Sequence, residues 1–262
     1  MKVVLSGSGI QYPMHAGALQ ALVEEGYSID KIIGVSGGAI VGGAVASGYE
    51  PGEKLNNLIL DTLPGPNDLL DPHWLPFWNW GLYKGDAILE RFQYFMEGSF
   101  RNTSIPFHAV TVNIDSEEVY SIFGPGHRMD ATVPKAVRAS MTYPFVFEPV
   151  KIEGDRHIDG GVAANFPVDF YGKGKDVVGF HVTGGFGGVD APKGWAGLLD
   201  YGKYLMGTML RASNREHIED AMHARVVELS APNVGVLDLN IGRKKARRMI
   251  KIGYYTAKKE FS

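Results

Sequence analysis

The chain has 262 residues, of which 45% are apolar and 21% charged, which is typical of a globular protein. Its formal net charge of −3 offers no bulk attraction to nucleic acid, and the sequence has no basic arm or recognition helix, so we expect no nucleic-acid partner. The absence of cysteine excludes disulfides, thiolate metal sites and a cysteine nucleophile. The first apolar run is too short for a signal peptide, and we expect a cytoplasmic protein.

Two strand–loop–helix units are predicted at the start of the chain. Residues 3–5 and 31–35 are short apolar strands, and helical spacing follows them over 14–25 and 39–47. Two such units in succession favour a parallel sheet covered by helices. The uncharged stretch 32–49 approaches the length of a membrane span, but its many Gly, Ala and Ser residues indicate a buried strand and a buried helix instead.

The remaining elements are more widely spaced. Residues 106–115 and 118–123 alternate as a strand pair, and 176–182 and 225–229 are further apolar strands. A basic helix closes the chain over 242–260. Because the sequence contains no internal repeat and no low-complexity linker, we expect one domain over residues 1–262.

Two segments each have two interpretations. Residues 62–83 are rich in Trp and Pro, and the Pro spacing forbids a long regular helix. The segment is either an irregular loop that caps the core or a hydrophobic rim or lid that rests on lipid, where Trp prefers the interface. The basic face of 242–260 is either solvated or attracted to anionic lipid, at about 1 kcal/mol per basic residue near such a surface.

The loop after the second strand carries a candidate nucleophile. Ser36 lies between Gly34 and Gly38, and glycines at these positions leave room for a serine that is pushed above the sheet on a sharp turn. The helix that follows directs its free N–H groups at developing negative charge. Gly-x-Ser-x-Gly alone is a modest signal, but its position between a strand and a helix predicts that Ser36 is a nucleophile.

A later segment offers a candidate base. Asp159 is followed by Gly160 and Gly161, which would let the chain turn tightly and leave the carboxylate uncrowded. His157 lies two residues earlier and would be the first histidine to consider if the mechanism needed one.

A glycine-rich turn, residues 6–9, ends the first strand. It lacks the third glycine of the dinucleotide fingerprint and the Lys-Ser of a phosphate-binding loop. Adjacent parallel strands bring their first loops to one edge of the sheet, so this turn is expected to lie beside Ser36 as an oxyanion hole. The candidate donors are the backbone N–H groups of Gly7, Ser8, Gly9 and Gly37.

These three elements, in this order, resemble the patatin-like phospholipases. The matching stretches cover most of the chain: 5–22, 30–48, 136–150, 157–168 and 234–254. The resemblance implies a three-layer α/β/α fold with a mostly parallel central sheet, and a dyad of Ser36 as nucleophile and Asp159 as base without a catalytic histidine. It further implies that carboxylic esters of phospholipids, lysophospholipids or acylglycerols are hydrolysed through an acyl-serine, with no cofactor and no metal.

The oxyanion loop departs from the family pattern, which is usually Gly-Gly-Gly-x-Arg/Lys-Gly. Here Ser8 replaces a glycine but keeps its N–H, whereas Gln11 removes a positive charge and Tyr12 introduces a ring. Since one oxyanion donor is worth on the order of 10²–10³ in rate, we expect a slower enzyme rather than an inactive one. Two alternatives stay open: an acyltransferase that uses the same acyl-serine, and a catalytically weakened lipid-binding relative. The sequence contains no sign of protein partners.

Overall fold

The computed structural model describes residues 1–63, 71–72, 80–172, 174–184, 205, 207–209, 224–231, 234–235, 238 and 241–262. Its strands are β1 Lys2–Leu5, β2 Lys31–Val35, β3 Gly81–Tyr83, β4 Phe107–Asn113, β5 Ser121–Phe123, β6 Phe145–Phe147, β7 Val150–Ile152, β8 Asp155–Asp159, β9 Val177–Thr183 and β10 Arg225–Ser230. Its helices are α1 Pro13–Glu24, α2 Gly37–Ala46, α3 Glu53–Asp61, α4 Asp86–Phe95, α5 Val133–Ser140, α6 Gly161–Ala164 and α7 Arg243–Phe261, and a 3-10 turn, Gly9–Gln11, precedes α1.

The strands build a mixed central sheet in the order β10-β9-β1-β2-β4-β8-β7, with β5 also paired to β4. The pairs from β10 to β4 are parallel, whereas β5, β7 and β8 pair in antiparallel fashion. Strands β3 and β6 form a separate small ladder. The predicted, mostly parallel sheet is therefore confirmed.

Helices cover both faces of this sheet. Successive residues of a strand point to opposite faces, and Val3 and Leu5 belong to one buried cluster whereas Val4 belongs to the other. In β2, Ile32 contributes to the first cluster and Ile33 to the second. Burial on both faces explains why these strands are continuously apolar rather than alternating.

The predicted elements agree with the structure to within a few residues. Helix α1 begins at Pro13, where the missing N–H of proline costs nothing, and α2 begins two residues earlier than predicted, directly after Ser36. The sequence did not predict the antiparallel hairpin of β7 and β8 or the helices α3 to α5. Of the Trp- and Pro-rich segment 62–83, only residues 62–63, 71–72 and 80–83 are described.

Helices α1 and α7 touch backbone to backbone at two glycines. A Cβ built on Gly17 would lie 1.9 Å from the carbonyl oxygen of Ile250, and one on Gly253 would lie 1.9 Å from that of Met14. Any side chain at either position would push the helices apart. The close approach fixes α1, which follows the glycine-rich loop, against the C-terminal helix.

Gly253→Ala is accordingly expected to lower the free energy of unfolding by about 3 kcal/mol, the upper end of the usual cost of overpacking a core. The new Cβ would meet a backbone carbonyl, which cannot rotate away as a side chain could. Urea denaturation of the purified protein measures this. Gly98→Ala is the control, since a Cβ there meets nothing within 4 Å. Equal denaturation midpoints for the two variants would contradict the close-packing argument.

Candidate active site

Ser36 occupies a strained turn between β2 and α2. Its φ of 51° and ψ of −119° are rare for a residue with a side chain. Its backbone N–H donates to Ser140 Oγ at 2.9 Å, and its carbonyl accepts the N–H of Ala39 at 2.9 Å. This is the conformation expected of a serine presented above the end of a sheet.

The glycines on either side of Ser36 provide space, as the sequence suggested. A Cβ on Gly34 would lie 2.6 Å from the carbonyl oxygen of Gly38. A Cβ on Gly38 would lie 2.4 Å from the carbonyl oxygen of Leu5. Neither glycine adopts a positive φ, so close packing rather than conformational freedom excludes side chains here.

Strand β4 brings Asp159 to the same place. Val35 pairs with Val110, and Asp159 pairs with the next residue along β4, Thr111. The Ser36 side chain is close enough to the Asp159 carboxyl to lower the pKa of that group. The structure therefore brings together the two residues that the sequence proposed as nucleophile and base.

The environment of Asp159 perturbs its ionisation. The residue is only 4% exposed, and this burial raises the pKa of its carboxyl from 3.8 to about 7, although hydrogen bonds from the Ser36 side chain and the Gly161 N–H oppose the rise. The Gly161 nitrogen lies 2.8 Å from Asp159 Oδ1. A carboxyl group with a pKa near neutrality is well matched to accept and return a proton at physiological pH.

The chain turns tightly after Asp159, as predicted, because β8 ends at Asp159 and α6 begins at Gly161. Gly160 has helical dihedrals (φ −62°, ψ −24°), and α6 begins at Gly161. A Cβ on Gly160 would lie 2.3 Å from the carbonyl oxygen of Val110, so this glycine is needed because the chain crosses β4 closely. The N–H of Gly161 orients the carboxylate instead of simply leaving it uncrowded.

The glycine-rich loop lies at the edge predicted for it, because β1 and β2 are adjacent and parallel. The N–H of Gly7 already donates to the carbonyl oxygen of Asn165 at 2.9 Å. Within the described residues, the N–H groups of Ser8, Gly9 and Gly37 have no hydrogen-bond acceptor. Three of the four predicted donors are thus free, and Gly7 instead links the loop to the segment after α6.

The two unusual residues of this loop have structural partners. Gln11 Nε2 donates to the carbonyl oxygen of Val234 at 2.7 Å. Tyr12 is buried in the larger core cluster, and this burial raises the pKa of its phenol, although the Thr62 side chain opposes the rise. The ring of Tyr12 is therefore part of the core that supports the loop.

His157 is engaged in other contacts. Its Nδ1 lies 2.9 Å from Thr111 Oγ1, and its Nε2 lies 3.5 Å from an Arg128 nitrogen. Burial, assisted by the charge of Arg128, lowers the pKa of the imidazole to about 4. The group that contacts Ser36 is Asp159.

Sequence reasoning assigned no role to the end of α5, yet this turn contacts both candidate catalytic residues. Ser140 Oγ accepts the Ser36 N–H, and the Thr142 carbonyl accepts the Asp159 N–H at 2.9 Å. The one visible signal was an arginine, Arg138, in an otherwise apolar and small-residue stretch.

No group of three His, Asp or Glu residues in the described ranges is arranged to hold a metal ion. Among those same ranges, no helix has the length and apolar character needed to cross a membrane.

Comparison with known proteins identifies the family. Residues 3–170 match the model of the patatin-like phospholipases, which is more than half of the chain. The chain belongs to the patatin-like phospholipase family. This membership supports lipid hydrolase activity in general.

The chain is also similar to individual relatives over different shares of their length. The uncharacterized protein YqhO of Bacillus subtilis (strain 168) is 28% identical over 279 aligned residues, which cover 95% of this chain and 94% of YqhO. The uncharacterized NTE family protein MT2641 of Mycobacterium tuberculosis (strain CDC 1551 / Oshkosh) is 31% identical over 170 residues, covering 64% of this chain but 27% of the relative.

A solved structure shares the patatin-like fold. VipD from Legionella pneumophila superposes with a TM-score of 0.62 at 14% identity, covering 99% of this chain and 66% of VipD. The predicted α/β fold class with a mostly parallel sheet and helices on both sides is confirmed.

Proposed function

We propose that the protein is a serine lipid acyl hydrolase in which Ser36 is the nucleophile and Asp159 the general base. Its substrates would be carboxylic esters of phospholipids, lysophospholipids or acylglycerols. One observation carries the proposal: adjacent positions of β4 bring the buried carboxyl of Asp159, whose pKa the Ser36 side chain lowers, to the strained turn that holds Ser36 at the start of α2.

The first half of the reaction forms an acyl-enzyme. Asp159 takes the hydroxyl proton as Ser36 Oγ attacks the ester carbonyl carbon, and the negative charge moves to the carbonyl oxygen. The N–H groups of Ser8, Gly9 and Gly37 stabilise this oxyanion. When the intermediate collapses, the ester C–O bond breaks and the protonated Asp159 returns the proton to the departing alcohol.

The second half releases the acid. A water molecule attacks the acyl-serine while Asp159 accepts its proton, and collapse returns that proton to Ser36 Oγ and frees the fatty acid. A positioned base contributes roughly 10²–10⁴ in rate and each oxyanion donor on the order of 10²–10³. Loss of Gly7 as a donor would therefore slow the enzyme without abolishing turnover.

The test combines covalent labelling with product analysis. Purified protein is treated with a fluorophosphonate probe and the labelled residue is identified by mass spectrometry, while fatty acid release is measured from phosphatidylcholine vesicles and p-nitrophenyl esters. Labelling of Ser36 and release of fatty acid are expected. If Ser36 is not labelled and no fatty acid is released, the lipid-binding alternative is favoured. If the acyl group is transferred mainly to added alcohols, the protein is an acyltransferase.

Peripheral contact of a cytoplasmic enzyme with lipid surfaces is part of the proposal. Trp80 and Phe145 are 54% and 55% exposed. Trp80 directly precedes Gly81, which pairs with Phe145 across the small ladder, and Phe145 lies three residues after Thr142, whose carbonyl accepts the Asp159 N–H. Large aromatic side chains prefer the membrane interface, and Phe145 follows the turn that contacts both candidate catalytic residues.

The C-terminal helix α7 carries positive charge that would attract an anionic lipid surface. Its exposed residues Lys244, Arg247, Arg248 and Lys251 have no ion-pair partner among the described residues. Each would add about 1 kcal/mol of attraction near an anionic surface.

Phe145→Ala is expected to lower hydrolysis of phosphatidylcholine vesicles about tenfold, equivalent to about 1.4 kcal/mol of binding free energy, while leaving p-nitrophenyl ester hydrolysis unchanged. Tyr94→Ala is the control, because Tyr94 is an 89% exposed aromatic residue on α4. Parallel losses in both assays would assign Phe145 to the site itself. If the protein co-sediments equally with neutral and anionic vesicles, the proposed attraction of α7 to anionic lipid is contradicted.

A further inference from the structure

We propose that Ser140 is a positioning residue for the nucleophile, which is an inference that rests on the proposed function. Its hydroxyl oxygen accepts the backbone N–H of Ser36 at 2.9 Å. By holding this N–H, Ser140 keeps Ser36 in the strained conformation that directs its side chain to Asp159.

The strain at Ser36 requires a restraint of this kind. A non-glycine residue with φ 51° and ψ −119° costs on the order of 1–3 kcal/mol. The pairing of β2 with β4 ends at Val35, so the sheet no longer holds the Ser36 N–H. Ser140 is fully buried, and without its oxygen the N–H would be left unsatisfied unless the Ser36 peptide rotated away.

The same turn also fixes the base. Two residues after Ser140, the Thr142 carbonyl accepts the Asp159 N–H at 2.9 Å. The backbone from Ser140 to Thr142 therefore helps to set the separation between nucleophile and base, together with the pairing of both strands to β4. A displacement at either residue changes the distance that the proton must cross.

Arg138 makes this turn rigid. Its Nη1 donates to Thr142 Oγ1 at 2.6 Å, and its Nε and Nη2 donate to the carbonyl oxygens of Gly85 and Lys84 at 3.0 and 2.7 Å. The guanidinium is almost wholly buried. Because the turn is anchored independently of Ser36, the hydroxyl of Ser140 provides a fixed point against which the strained peptide is held.

Helix α2 offers a matched control at its opposite end. The hydroxyl of Ser47, at the C-terminal end of α2, accepts the backbone N–H of Glu97 at 2.9 Å, as the hydroxyl of Ser140 accepts that of Ser36. Both serines tie an end of the same helix to a neighbouring segment. A purely structural role predicts the same consequences for removal of either hydroxyl, whereas a positioning role predicts a loss of catalysis for Ser140 alone.

The experiment compares wild type, Ser140→Ala, Ser140→Cys and Ser47→Ala with p-nitrophenyl esters and a fluorophosphonate probe, at a temperature where thermal unfolding shows each to be folded. We expect Ser140→Ala to lower both kcat and the labelling rate about 10²-fold, the cost of a misplaced reacting atom, with KM within about twofold. Ser140→Cys should be intermediate because sulfur is a weak acceptor, and Ser47→Ala should keep the wild-type kcat.

Two outcomes overturn the inference. One is a kcat of Ser140→Ala within about threefold of wild type, and the other is an equal loss of kcat in Ser47→Ala. If Ser140→Ala does not fold, a wild-type kcat in Ser140→Cys overturns the inference in the same way. A wild-type protein that neither labels nor hydrolyses would instead remove the proposed function.

Discussion

Ser36→Ala is expected to lower kcat/KM on phospholipid and p-nitrophenyl esters by at least about 10³-fold, because no acyl-enzyme can form without the hydroxyl. The substitution keeps the Cβ and the backbone N–H that Ser140 accepts, so the turn should stay folded. Fatty acid release and fluorophosphonate labelling measure the loss directly, and thermal unfolding checks the fold.

Ser121→Ala provides the control for this measurement. Ser121 is also a buried serine, on β5, and among the described residues its hydroxyl has no hydrogen-bond partner, so its removal should leave the rate unchanged. Undiminished hydrolysis by Ser36→Ala would eliminate Ser36 as the nucleophile and require another group to form the acyl-enzyme.

Asp159→Asn is expected to reduce kcat by roughly 10²–10⁴, the contribution of a positioned base. In the wild type, the rate should also fall as the pH drops below about 7, because the raised pKa of Asp159 leaves its carboxyl protonated there. Asparagine has no titratable group, so the residual activity of the variant should not fall in this way as the pH drops below about 7. Both effects appear in kcat profiles of wild type and variant measured between about pH 5 and pH 9.

His157→Ala tests the competing mechanism. The pKa of His157 is lowered to about 4, and its ring nitrogens face Thr111 and Arg128. The kcat of this variant should therefore still fall as the pH drops below about 7. If His157→Ala abolished turnover while Asp159→Asn did not, a histidine-based mechanism would replace the dyad.

The strained turn that carries Ser36 could be predicted because its sequence signals are local. A short apolar strand, Ser36 between glycines and a small-residue helix follow one another within a few residues, and the parallel pairing of β1 with β2 follows from two consecutive strand–helix units. The free donors of the oxyanion loop could not be predicted. Whether the Gly7 N–H is free depends on Asn165, far away in the sequence.

The position of Asp159 depends on a hairpin that the sequence obscures. Strands β7 and β8 carry charged residues and do not alternate cleanly, so hydrophobic periodicity did not reveal them. Their turn did carry a signal: Glu153 and Gly154 both adopt positive φ, of 51° and 99°, as two-residue hairpin turns require. Ser140 carried no such signal, because its contact with Ser36 is a tertiary hydrogen bond across 104 residues.

The glycine contact between α1 and α7 bears on how this protein should be handled. Helix α1 starts at Pro13, immediately behind the loop that carries Ser8 and Gly9, and its partner α7 lies outside the part of the chain that matches the family model. A shortened protein that kept residues 3–170 but lacked α7 would lose the helix that packs against α1, and α1 directly follows this loop. Trimming to residues 3–170 would also remove β9, the strand that pairs with β1, so that protein would keep Ser36 and Asp159 but lose both the helix and the strand that support this loop.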